Sequence, residues 1–155
     1  MQFTTIIITL LATAATVIAA PVEAAAAAAA PLEARACQTV AASPSGVWVS
    51  KNSPQWVSFW VPANAVGACE LKAIFPAGFP IAGTKPQVNV IDVNGPAPGS
   101  IVGTVTFTPG TSTTINSFAC RQDMQYRLEI ASWQAQGSVS YPAQPGTGLI
   151  LSYGC

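Results

Sequence analysis

Beyond Arg35 the chain is a succession of short runs of β-branched and aromatic residues, broken by proline, glycine, asparagine and serine. No stretch carries apolar residues at helical spacing, so nothing offers a helix a stripe to bury. Nine runs qualify as strands: Val47–Ser50, Trp56–Val61, Cys69–Phe75, Gln87–Val93, Ile101–Phe107, Thr113–Cys120, Gln125–Ser132, Gly137–Tyr141 and Gly148–Tyr153. Their spacing of roughly 8 to 15 residues, with turn residues in each gap, is that of an antiparallel sandwich or barrel. The expected fold is all-β: one antiparallel β-sandwich of about 8–9 short strands, formed by residues 36–155.

Alternation assigns the faces, because successive strand side chains point to opposite sides. Cys69, Leu71, Ala73 and Phe75 oppose Glu70 and Lys72, and Tyr126, Leu128 and Ile130 oppose Arg127 and Glu129. In the second run Val57, Phe59 and Val61 share one face and Trp56, Ser58 and Trp60 the other. Ile101, Val105 and Phe107 alternate with Val102, Thr104 and Thr106, which makes the first set the inward one. The segments FPAGFPIAGTKP, NGPAPGS and YPAQPGTG are read as loops, since proline lacks the donor a central ladder needs.

The four cysteines, Cys37, Cys69, Cys120 and Cys155, include no C-x-x-C pair, and the chain has no histidine. Zinc is therefore a poor fit, and two disulfides in an oxidising compartment are expected. Three pairings are open. The preferred one joins Cys69 to Cys120, tying two strands with apolar inward faces, and Cys37 to Cys155, clamping the two chain edges together.

Met1 to Ala20 runs through IIITLLATAATVIAA into small residues, the pattern of a secretory signal peptide cut near Ala20. Pro21 to Arg35 holds seven consecutive alanines with no amphipathic face, too short a run to hold a helix in water. It reads as a propeptide or spacer ending at a processing site, Arg35. The expected location is outside the cell, possible association with the cell wall included, with no membrane contact after leader removal. No hydrophobic tail follows Cys155, so no lipid anchor is expected.

Six basic residues balance six acidic ones, leaving no electrostatic footprint for a nucleic-acid backbone. Without histidine, and with the cysteines oxidised, the familiar nucleophile–base constellations and most metal sites are missing. Glu70, Asp92, Asp123 and Glu129 remain as a hypothetical glycosidase pair. No motif groups them, so they are read as solvated strand residues near Lys72 and Arg127. No catalytic residue, cofactor or metal is predicted. Asn52, Asn64, Asn89, Asn94 and Asn116 all lack the sequon for N-linked sugar.

Trp48, Trp56 and Trp60 are the candidate ligand surface, able to stack on sugar rings or to meet an apolar partner. The competing expectation, and the leading one, is that these rings pack under loops, as large aromatic residues in small sandwiches do.

Val61-Pro62-Ala63-Asn64-Ala65-Val66-Gly67-Ala68-Cys69-Glu70-Leu71, followed by Ile74-Phe75-Pro76, resembles a strand-loop-strand of the fungal ubiquitin-3-binding-protein C-terminal domain family. Ser117-Phe118-Ala119-Cys120, Tyr126-Arg127-Leu128-Glu129 and the closing Gly148 to Cys155 follow in the same order, so the resemblance covers roughly Ser45 to Cys155. It implies a secreted or cell-surface β-sandwich of filamentous fungi with no established catalytic role. Small allergen-like or effector-like fungal β-barrels share the leader style and size. The expected function is that of a non-enzymatic secreted or wall-associated protein. Its alternatives are a carbohydrate-binding module for wall polysaccharide and a small secreted effector; its partners are a wall polysaccharide or an extracellular protein.

Overall fold

The computed structural model describes residues 36–65 and 67–155. The leader, the spacer, Ala20 and Arg35 lie outside the described residues. Among the described residues eleven strands form, and every pairing between them is antiparallel. They are β1 (Gln38–Ala41), β2 (Val47–Ser50), β3 (Gln55–Trp60), β4 (Ala68–Phe75), β5 (Ala82–Gly83), β6 (Val88–Asp92), β7 (Ile101–Val105), β8 (Thr111–Ala119), β9 (Asp123–Ile130), β10 (Ser138–Tyr141) and β11 (Gly148–Tyr153). Two four-stranded sheets, β1-β11-β4-β8 and β3-β9-β6-β7, and a three-stranded sheet, β2-β10-β5, make a sandwich-like all-β domain.

The alternating strands behave as their sequences dictate. In β4 and β9 every second residue is buried, which places Cys69, Leu71, Ala73 and Phe75, and Met124, Tyr126, Leu128 and Ile130, in the core. Val57, Phe59 and Val61 join them at 1% exposure each. β6 and β11 are buried at every residue. Both are interior strands of their sheets; β11 runs apolar from Leu149 to Leu151, whereas β6 buries the polar Asn89 and Asp92 along with its apolar residues. Phe75 anchors an aromatic cluster, with ring centroids 4.9 Å from Tyr141, 5.4 Å from Phe79 and 5.6 Å from Phe107. The Tyr141 and Phe107 contacts are edge-to-face, a packing that adds about 1 kcal/mol per pair beyond area burial.

Both disulfides form as preferred, Cys37–Cys155 and Cys69–Cys120, with Cα separations of 4.4 and 4.9 Å. The first closes the open end of the β1–β11 pair, where Gln38 faces Tyr153. The second closes the β4–β8 pair, where Ala68 faces Ala119. They therefore brace the outer strands of one sheet against its two central ones, at the same end.

Three details depart from the sequence expectation. β1 and β5 are additional strands. β1 is an edge strand, three of its four residues exposed, and it exists through its pairing with β11. β5 is a two-residue strand inside a segment read as a proline loop; Gly83 reaches β10 because it has no Cβ, which would sit 2.1 Å from the Ser138 carbonyl oxygen. Ile101, expected inward, is 56% exposed. The β6–β7 register slips between Val90 and Ile91, so Val102 is an extra residue in β7 and Ile101 pairs with Ile91. One inserted residue exchanges the two faces of everything beyond it.

Candidate functional site

The outer face of β3-β9-β6-β7 is built by register. Directly opposed residues in antiparallel strands share a face. Trp56 faces Arg127, Arg127 faces Ile91, and Ile91 faces Ile101, so these four form one row across the sheet. A second row pairs Ser58 with Gln125, and a third pairs Trp60 with Asp123. Trp56 is 53% and Trp60 64% exposed, so the packed expectation for these rings is corrected. Their strand alternates, Val57 and Phe59 occupy the core, and the other side of the same pleat has to carry the indoles outward. The two tryptophans are four residues apart on one face, about 13 Å along the strand.

Polar groups surround the rings. Arg127 Nε lies 3.3 Å from Glu129 Oε2, and both side chains are 38% exposed. Asn94 accepts a hydrogen bond from the Gln125 amide at 2.9 Å through Oδ1, and its Nδ2 donates to Asp123 Oδ2 at 3.3 Å. The result is a pleated platform with two large apolar rings, an exposed isoleucine at one corner, and hydrogen-bonding side chains between them.

Trp48 does not belong to this platform. It lies on β2, in the three-stranded sheet, opposite Ser140. At 58% exposure it too is unpacked. Sequence proximity to Trp56 suggests a shared surface, but β2 and β3 pair only at the turn, through Ser50 and Ser53. Trp133, which no pattern in the sequence marks, is the most exposed large apolar side chain among the described residues, at 71%. Its turn, closed by Gln134 N–H donating to the Ala131 carbonyl, is held by Lys51 Nζ, which donates to the Ala131 and Ser132 carbonyls at 3.0 and 3.1 Å. Ile101 was missed because its exposure depends on the bulge at Val102.

The carboxylates sit in local contacts. Glu70 pairs with Lys72 and Glu129 with Arg127, as the alternation suggested. Asp92 departs from the solvated reading: it is 3% exposed and accepts from the Gly95 N–H at 2.6 Å and the Ala97 N–H at 3.0 Å, closing the NGPAPGS loop. Glu70 is on the sheet opposite to that of Glu129 and Asp123. Among the described residues no three of His, Cys, Asp or Glu cluster in a way that would hold a metal ion. Burial holds the phenols of Tyr126 and Tyr141 well above their ordinary range; for Tyr126 the neighbouring Asp92 adds to the effect and Arg121 opposes it. Both hold a proton too tightly to serve as bases near neutral pH.

Compared with protein-family models, with curated proteins and with solved structures, the chain has no match.

Proposed function

We propose that this chain is a secreted, non-enzymatic binding protein whose β3 platform holds neutral polysaccharide, a wall glucan or chitin being the ligand class. One observation carries the reading: two indoles on one strand face, both more than half exposed, over a sheet whose opposite face is core. Tryptophan is highly buried on average, so two half-exposed indoles on one strand face mark a candidate interaction surface. Two flat rings carried about 13 Å apart along the strand suit stacking on separate, non-adjacent sugars of one extended chain, with Ser58, Gln125 and Arg127 available to hydroxyl groups. The two disulfides, the leader pattern and the resemblance to a fungal surface family support an extracellular setting.

The test is sedimentation with insoluble chitin, β-glucan and cellulose. Binding by the intact protein is expected, and Trp60→Ala and Trp56→Ala should each weaken it roughly tenfold, equivalent to about 1.4 kcal/mol per lost stacking surface. Both variants should keep their stability within about 0.5 kcal/mol, because the rings leave the core untouched. An intact protein that sediments with none of these polymers sinks the proposal.

A further inference from the structure

A separate surface surrounds Trp48. Pro44, Val47, Trp48, Pro80, Ile81 and Pro142 line an open groove of about 620 Å³, within the range of ligand sites. Its floor is the β2-β10-β5 sheet, with Trp48 facing Ser140 and Ser140 facing Ala82. β2 is an edge strand, yet its outer edge is already occupied. The Trp48 N–H donates to Gln55 Oε1 at 2.5 Å, and Gln55 Nε2 donates to the Gly46 carbonyl at 3.1 Å. One side-chain amide thus takes the place of a neighbouring strand, and a ligand cannot dock there by extending the sheet.

The lining restricts the ligand further. It contains no charged side chain. Its polar side chains are Gln55, already spent on the backbone, Ser140, and the buried Tyr141. A saccharide needs many hydrogen-bond partners and would find few. A charged ligand would be desolvated without a counter-charge. An uncharged groove complements an uncharged segment that is apolar, extended and able to leave its backbone in water. A polyproline II helix has these properties, with three residues per turn and no internal hydrogen bonds to give up. Grooves lined by aromatic residues recognise it by packing pyrrolidine rings against indoles.

We propose that this groove docks a neutral, proline-rich segment of a partner protein, with Trp48 on β2 as the stacking platform and Pro44, Pro80, Ile81 and Pro142 completing the apolar lining. This site is distinct from the Trp56/Trp60 face, and either can fail without the other.

The experiment uses the isotope-labelled, disulfide-intact protein and a decaproline peptide, with a Gly/Ser peptide of equal length as control. Saturable NMR shifts are expected at the Trp48 indole and at the Ser140 and Ala82 amides with decaproline, and none with the control. Trp48→Ala should weaken binding about tenfold, and Ala82→Arg, a substitution at an exposed groove position, should block it. Trp60→Ala should leave it unchanged. The proposal is overturned by the absence of shifts at the groove, by equal shifts with the Gly/Ser peptide, or by Trp60→Ala abolishing the response. Shifts at Trp48 with chito- or gluco-oligosaccharide and not with decaproline would overturn it too, making the groove a sugar subsite.

Discussion

Gly103 marks the place where the two large sheets touch edge to edge, and its substitution by alanine tests how the sandwich closes. β7 and β8 are edge strands of different sheets, and each carries a bulge: Val102 is the extra residue in β7 and Ile115 in β8. A Cβ on Gly103 would stand 2.5 Å from Ile115 Cγ2 and 2.8 Å from the Ile115 carbonyl oxygen. Gly103 is not among the glycines with positive φ, so alanine is conformationally acceptable there. On propensity alone, Gly103→Ala should stabilise the protein by about 0.5–1 kcal/mol. Steric overlap opposes this gain. Overpacking costs about 1–3 kcal/mol, and the upper part of that range applies because one of the atoms met is backbone, which cannot rotate away. The net expectation is destabilisation by about 1–2 kcal/mol, lowering Tm by roughly 4–8 °C in a domain of this size. Urea and thermal unfolding with both disulfides intact measure it. Adding Ile115→Ala removes the Cγ2 contact but not the carbonyl contact, so it should restore only part of the loss. A Gly103→Ala protein as stable as the parent, or more so, would refute the claim that the sheet edges meet at this point.

Removing the Cys69–Cys120 bridge by double alanine substitution should cost about 4 kcal/mol, and removing Cys37–Cys155 about 5 kcal/mol, from loop closures spanning 51 and 118 residues. Because Cys37 and Cys155 are exposed whereas Cys69 is fully buried, brief treatment with dithiothreitol should free Cys37 and Cys155 first, as thiol labelling and peptide mapping would show. The raised pKa values of Tyr126 and Tyr141 mean that the folded state keeps both phenols protonated where the unfolded chain begins to ionise, near pH 10. Their contribution to stability is complete below about pH 10 and declines as pH rises toward the folded-state values, by up to about 1.4 kcal/mol per pH unit for each tyrosine. Urea midpoints across that range should fall accordingly, and phenolate absorbance from these two residues at about pH 10 in the native protein would contradict it.

Much of the framework was legible because it follows from local patterns. The alternation in β4 and β9, with charged residues between apolar ones, admits one inward face and no other. The observed disulfide pairing was the preferred one of three that the sequence left open, chosen by asking which strands and chain edges need tying. Other features had no local signal. QTVA in β1 has no buried alternation to read, and β5 is two residues between prolines; each is a strand only through its partner's hydrogen bonds. Exposure of Trp56 and Trp60 was implied by the pleat, while the general tendency of tryptophan to pack pointed the other way. The pleat prevailed because Val57, Phe59 and Val61 already fill the interior.

By itself, then, the sequence determined the all-β class, the inward faces of the regular strands, and the placing of Trp56 and Trp60 on the strand face opposite Val57 and Phe59, while favouring disulfides for the cysteines and packed rings for the tryptophans. These depend on side-chain period and residue chemistry, which are properties of neighbours in the chain. The tertiary structure alone decided which sheet each tryptophan belongs to, that Ile101 turns outward past the Val102 bulge, and that a prolyl groove opens beside Trp48. Those outcomes depend on strand register and on which edges meet, and both are set by contacts between residues far apart in the chain.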